Sequence, residues 1–177
     1  MPHSGALEEL IRAEIRRDGP LPFARYMQLA LYEPELGYYR KQDPFGRNGD
    51  FYTAEQLQPV FGELLSGFVE QLANERGAPD PFHVLELGAG RFEMGNALRQ
   101  WAYLGYDWTQ PDLPTTWSGL IFANEFFDAL PVHLLQKEAE SWVELFVTEA
   151  QDALRLQEGE PGTPELLAYA EQYGDAI

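Results

Sequence analysis

The 177-residue chain is 45% hydrophobic and 14% aromatic, which suits a globular domain with a real core and excludes a disordered tail. Twenty-nine acids against 12 bases give a formal charge of -17. That balance repels phosphate backbones, so nucleic acid is not expected as a partner, whereas a cationic group such as an arginine side chain is attracted. With no cysteine, disulfides, thiolate metal sites and cysteine nucleophiles are excluded, and His3, His83 and His133 are too scattered to show metal-ligand spacing.

No stretch approaches the ~20 apolar residues that cross a bilayer, so no membrane span is expected. Arg12, Arg16 and Arg17 are interleaved with Glu8, Glu9 and Glu14, whereas organelle transit peptides are poor in acids. The expected location is therefore cytoplasmic.

Leu7, Leu10, Ile11 and Ile15 recur at helical spacing until Gly19-Pro20 stops the helix. Pro22 then takes a first-turn position of a second helix, whose Phe23, Tyr26, Met27, Ala30 and Leu31 form one apolar face. Glu33-Pro34 ends it, and residues 35–50 read as an ordered loop. From Pro59, the series Val60, Phe61, Leu64, Leu65, Phe68, Val69 and Leu72 predicts an amphipathic helix closed near Gly77.

Beyond Pro81 the texture changes. A strand over 82–87, a helix over 93–101 and a second strand over 120–123 form an α/β run, both strands nearly continuous in apolar residues as parallel strands covered on two faces are. After Pro131, residues 132–136, 142–147 and 153–156 read as short strands of an antiparallel meander, and 164–173 as a last helix.

The run Phe82-His83-Val84-Leu85-Glu86-Leu87-Gly88-Ala89-Gly90 carries the most chemistry. A strand ending in an acid and a two-glycine turn is where a Rossmann-like domain brings bare backbone up to a nucleotide-like cofactor. A dinucleotide fingerprint wants a third small residue three positions on, and Glu93 stands there, so NAD is disfavoured. The spacing is instead that of the first motif of S-adenosyl-L-methionine (SAM) methyltransferases. Methyl transfer from a sulfonium asks for in-line positioning and often a group to take the acceptor's proton. Ligand-positioning residues belong at the carboxyl ends of parallel strands, and Asn124-Glu125-Phe126-Phe127-Asp128-Ala129-Leu130-Pro131 follows the second strand. There Asn124 either caps a turn or presents its amide to donor or acceptor, and Glu125 or Asp128 either lies exposed or pairs with a guanidinium. Gly49-Asp50-Phe51-Tyr52-Thr53 precedes the helix near Pro59.

These segments occur in order with Phe23-Ala24-Arg25-Tyr26-Met27, Leu31-Tyr32-Glu33-Pro34-Glu35-Leu36-Gly37-Tyr38-Tyr39 and Phe61-Gly62-Glu63-Leu64-Leu65. Together they resemble the MidA family of SAM-dependent methyltransferases, whose mitochondrial members methylate an arginine on a subunit of respiratory complex I and assist its assembly. The resemblance implies an α/β fold: a Rossmann-like methyltransferase sheet, incomplete here, with an N-terminal helical region and a β-rich insertion. Residues 1–78 would form the helical region and a donor-covering loop, and 79–177 the methyltransferase core, its C-terminal part missing. It further implies that Glu86, Gly88, Ala89 and Gly90 bind SAM, that Gly49, Asp50 and Thr53 close over it, and that Asn124, Glu125 and Asp128 lie at the transfer site. No residue matches an established general base. The implied partner is a protein presenting an arginine side chain; the rival is an assembly protein of the same fold that has lost donor binding.

The chain departs from the family pattern in two places. Phe92 stands where a glycine is usual, and its ring is expected to crowd the methionine end of the donor. Only 33 residues separate Gly90 from Asn124, an interval in which the family places a further strand ended by a ribose-binding acid. Asp107 is the candidate for that acid, although the nine residues between it and Trp117 are fewer than the dozen that a parallel crossover needs.

Overall fold

The structure is a computed structural model that describes residues 4–41, 60–78, 81–107, 112–139 and 141–174. In chain order its elements are α1 (Ser4–Asp18), β1 (Leu21–Pro22), α2 (Phe23–Tyr32), α3 (Tyr38–Lys41), α4 (Val60–Arg76), β2 (His83–Leu87), α5 (Met94–Ala97), β3 (Ala102–Tyr106), β4 (Leu120–Ala123), a 3-10 turn (Phe127–Ala129), β5 (Leu134–Glu138), β6 (Ser141–Ala150), β7 (Ala153–Gly159) and α6 (Pro164–Tyr173). They fall into two compact units, one made of residues 1–43 with 130–177, the other of 44–129. These cuts differ from the 1–78 and 79–177 division expected from sequence.

In the first unit β6 is the central strand of an antiparallel sheet, pairing with β5 and β1 and with β7. Gln151 and Asp152 both hold positive φ between the paired Ala150 and Ala153, the two-residue turn whose twist suits a hairpin. Ile11 and Ile15 of α1 share a core with Leu21, Leu29 and Val147. Arg12 donates to Glu149 Oε1 and to the Asp152 carbonyl, each at 2.7 Å, which ties α1 to the β6–β7 hairpin. Pro22 is the residue before α2, with φ -51° and ψ 144°, and not a residue of its first turn. The last helix forms as expected, with Thr163 accepting the Leu166 N–H and Pro164 at its start.

The second unit holds a parallel sheet in the order β3-β2-β4, so the chain leaves β2 for one neighbour and returns to its other side. That reversal makes the carboxyl end of β2 a topological switch point, the place where open α/β sheets bind ligands. Val69 of α4, Val84 of β2, Met94 and Leu98 form the core, with Phe61, Leu65, Tyr103 and Phe122 against it. Only one side of the predicted α4 stripe is used, because Val60, Leu64 and Phe68 stay exposed. Gly77 closes α4 at φ 57°, and the Ala78 N–H returns to the Ala73 carbonyl.

Two expectations are corrected here. The helix predicted over 93–101 is the single turn Met94–Ala97, because the chain must turn at Leu98 to enter β3 at Ala102. The crossover that looked too short when counted to Trp117 is made, since it runs on to β4, which begins at Leu120 as expected; the Trp117 Nε1–H donates to the Leu120 carbonyl at 3.2 Å. Ile121 of β4 is exposed, so that strand is not covered on both faces.

Candidate functional site

The glycine turn is built from the end of β2 and held by the end of β3. Gly88 and Ala89 donate their N–H groups to the Tyr106 carbonyl at 2.9 and 3.0 Å, and Gly90 donates to Asp107 Oδ2 at 3.0 Å. Both glycines are left-handed, at φ 74° and 49°, a region that side chains resist. A Cβ on Gly88 would lie 2.7 Å from Phe126 Cδ2, whereas one on Gly90 would meet nothing nearer than the Gly88 carbonyl at 4.0 Å. The turn is thus packed at its first glycine and open at its second.

Glu86 is buried, and its carboxylate accepts the Tyr103 hydroxyl hydrogen bond. Burial, reinforced by that carboxylate, pushes the Tyr103 phenol well above the usual tyrosine range, so it remains a donor. Phe92 does not sit on Gly90. Its ring lies against Gly105 of β3, where a Cβ would be 2.5 Å from Phe92 Cδ1.

Beyond β4, Asn124 is half-buried while Glu125 and Asp128 are exposed. Glu125 takes φ 49° and starts a tight turn closed by the Ala129 N–H to the Phe126 carbonyl at 3.3 Å. Because Phe126 packs on Gly88, this segment and the glycine turn meet at one end of the sheet. Gly49, Asp50 and Thr53, expected to cover a donor, lie outside the described residues.

Sequence reading missed Tyr103 as a site residue. The signal was present in the ladder: Gly105 is the register partner of Glu86, and Tyr103 stands two residues before that glycine on the same face of β3. A glycine there leaves room for the phenol to reach across to the carboxylate.

A parallel sheet reversing at a glycine turn, with an acid from the next strand fixed to that turn, is the frame of a Rossmann-like methyltransferase. The family described as "Putative S-adenosyl-L-methionine-dependent methyltransferase" matches residues 93–177. Curated relatives include the fruit fly Drosophila melanogaster "Protein arginine methyltransferase NDUFAF7 homolog, mitochondrial", 31% identical over 81% of this chain and 45% of the relative. The mouse (Mus musculus) protein of that type is 28% identical over 85% of this chain and 48% of its own. A superfamily member from Burkholderia thailandensis, solved bound to S-adenosyl-homocysteine, superposes with a TM-score of 0.70 at 28% identity, covering 96% of this chain and 53% of that one. The chain belongs to the MidA family of SAM-dependent methyltransferases.

The chain spans about half the length of the curated relatives it matches. The fly alignment runs over 195 positions, more than the 177 residues here, so that relative carries segments with no counterpart in this chain. The cytoplasmic location expected from the acid-rich first helix is overturned, since the curated relatives are mitochondrial proteins. Among the described residues, no helix is long and apolar enough to cross a membrane.

Proposed function

We propose that this chain carries the donor-binding half of a SAM-dependent protein-arginine N-methyltransferase, with a respiratory complex I subunit as the acceptor that the family resemblance implies. The observation that carries the reading is the Gly88–Gly90 turn clamped to Tyr106 and Asp107 at the switch point of the sheet. Bound SAM supplies a methyl group on a sulfonium. The residues present fit it: the approach to Gly90 is open, and carboxylates flank the turn.

Glu86, Gly88, Ala89 and Gly90 would hold the donor, and Gly49, Asp50 and Thr53 would cover it. Asp107 fixes the turn with one carboxylate oxygen, leaving the other for the ribose hydroxyls. Asn124 would present its amide at the transfer site, and exposed Glu125 and Asp128 would hold the guanidinium by charge-assisted hydrogen bonds. The net charge of -17 favours a cationic acceptor. Relatives named as arginine methyltransferases support the enzyme over the non-catalytic rival, and their names favour a mitochondrial setting.

Titration calorimetry with S-adenosyl-homocysteine is the test. Micromolar binding supports the reading, and silence sinks it. Transfer of labelled methyl to an arginine-bearing acceptor follows, and unchanged transfer in Asp128→Asn would remove Asp128 from the site.

A further inference from the structure

Phe92 holds φ 60°, a left-handed conformation that a bulky side chain adopts only when its surroundings impose it. The backbone is pinned on both sides: the Phe92 N–H donates to the Ala89 carbonyl at 2.7 Å, and the Phe92 carbonyl accepts the Gly95 N–H at 3.1 Å. The ring lies over Gly105, yet the residue is still 39% exposed. A Cβ on Gly105 would be 2.5 Å from Phe92 Cδ1 and 2.8 Å from Tyr103 Oη, so ring and hydroxyl share one side of that glycine. Gly105 pairs in register with Glu86, whose carboxylate takes the Tyr103 hydroxyl and which is only 5% exposed. In this state the carboxylate is nearly shut off from solvent. Glu86 and Gly105 are the penultimate residues of β2 and β3, at the carboxyl, ligand-binding end of the sheet.

We propose that Phe92 is a gate that sets donor affinity. With its ring on Gly105, Glu86 is screened; with the ring withdrawn, Glu86 faces the ammonium of the donor's amino-acid end. The inference rests on the donor reading given above. Donor affinity is then reduced by the fraction of molecules in the closed state. Only ligands that carry the ammonium sense the gate.

Phe92→Gly removes the ring and takes positive φ freely, while Phe92→Ala removes the ring alone. Calorimetry with S-adenosyl-homocysteine should show about tenfold tighter binding or more in Phe92→Gly, with a gain of the same sign in Phe92→Ala. Affinity for 5′-methylthioadenosine, which lacks the amino-acid end, should not change; thermal melts establish that each variant is folded. Unchanged or weaker S-adenosyl-homocysteine binding in a folded variant, or an equal gain for 5′-methylthioadenosine, overturns the gate and leaves the donor reading standing. If neither the wild type nor a variant binds S-adenosyl-homocysteine, the donor reading falls and takes the gate with it.

Discussion

Glu144 and His133 form a bonded pair in which the carboxylate has no exposed side-chain surface: His133 Nδ1 lies 2.6 Å from Glu144 Oε1. The second oxygen accepts the Gly162 N–H at 2.7 Å, so both oxygens of a buried acid are satisfied. His133→Ala would leave Oε1 without its partner. Because the histidine side chain is 37% exposed, water can partly replace it, and a loss of about 1–3 kcal/mol is expected. Urea unfolding of the variant measures this; an unchanged midpoint would show that the pair does not stabilise the meander.

Asp107 supports the glycine turn from the neighbouring strand through the Gly90 N–H. Asp107→Ala removes both that acceptor and the free oxygen proposed for the ribose. Donor affinity should fall at least tenfold, or about 1.4 kcal/mol. Asp107→Asn keeps a neutral acceptor for Gly90 and should lose less. Equal calorimetric affinities for all three proteins would remove Asp107 from the site.

The parts of this site that could be read from the sequence are those fixed by local chemistry. The apolar run of β2, its acid and its two glycines specify a strand and a turn without reference to anything distant. The position of the Asn124–Asp128 segment directly after a strand is legible for the same reason. What could not be read depends on neighbours far along the chain. Phe126 against Gly88 and Phe92 against Gly105 are packing choices that no periodicity encodes. The α4 stripe showed that a helix was present but not which of its apolar residues would be covered, and Leu64 and Phe68 remain exposed. β3 is hard to read because a crossover counted from Asp107 to Trp117 looks too short, whereas Trp117 is a prop ahead of β4.

Gly88 tests the packing half of the turn directly. In Gly88→Ala the new methyl would stand 2.7 Å from Phe126 Cδ2 and the residue would have to hold φ 74°. Left-handed backbone alone costs a non-glycine residue about 1–2 kcal/mol, and displacing Phe126 would shift the Asn124–Asp128 segment. Lower stability together with weaker S-adenosyl-homocysteine binding is expected. A variant as stable as wild type would show that Phe126 moves aside freely.

Glu149 links stability to acid pH. The Arg16 hydrogen bond, with Arg12 beside it, holds this carboxyl below its ordinary range despite the opposing effect of burial. A carboxyl with a depressed folded pKa adds stability above its unfolded pKa, and that stability is lost as pH falls through the folded pKa. Glu149→Gln should therefore be less stable than wild type at neutral pH. The gap should close as pH drops below the usual glutamate range. Thermal melts at a series of pH values measure the gap, and a constant difference down to acid pH would refute the linkage.

Tyr103 behaves in the opposite sense. Its phenol is raised above the usual value near 10, first by burial and then by the hydrogen bond to Glu86. A group with a raised folded pKa contributes stability that is complete below its unfolded pKa and is lost only as pH rises through the folded pKa. Tyr103→Phe deprives the buried Glu86 carboxylate of this donor and should cost about 1–3 kcal/mol at neutral pH. The difference from wild type should persist to the ordinary tyrosine range and narrow only above it. Ultraviolet titration offers a second check: the folded wild type should show a phenol signal that resists ionisation well above the ordinary tyrosine range, and that resistant signal should vanish in the variant. Its survival in Tyr103→Phe would assign the protected phenol to another residue.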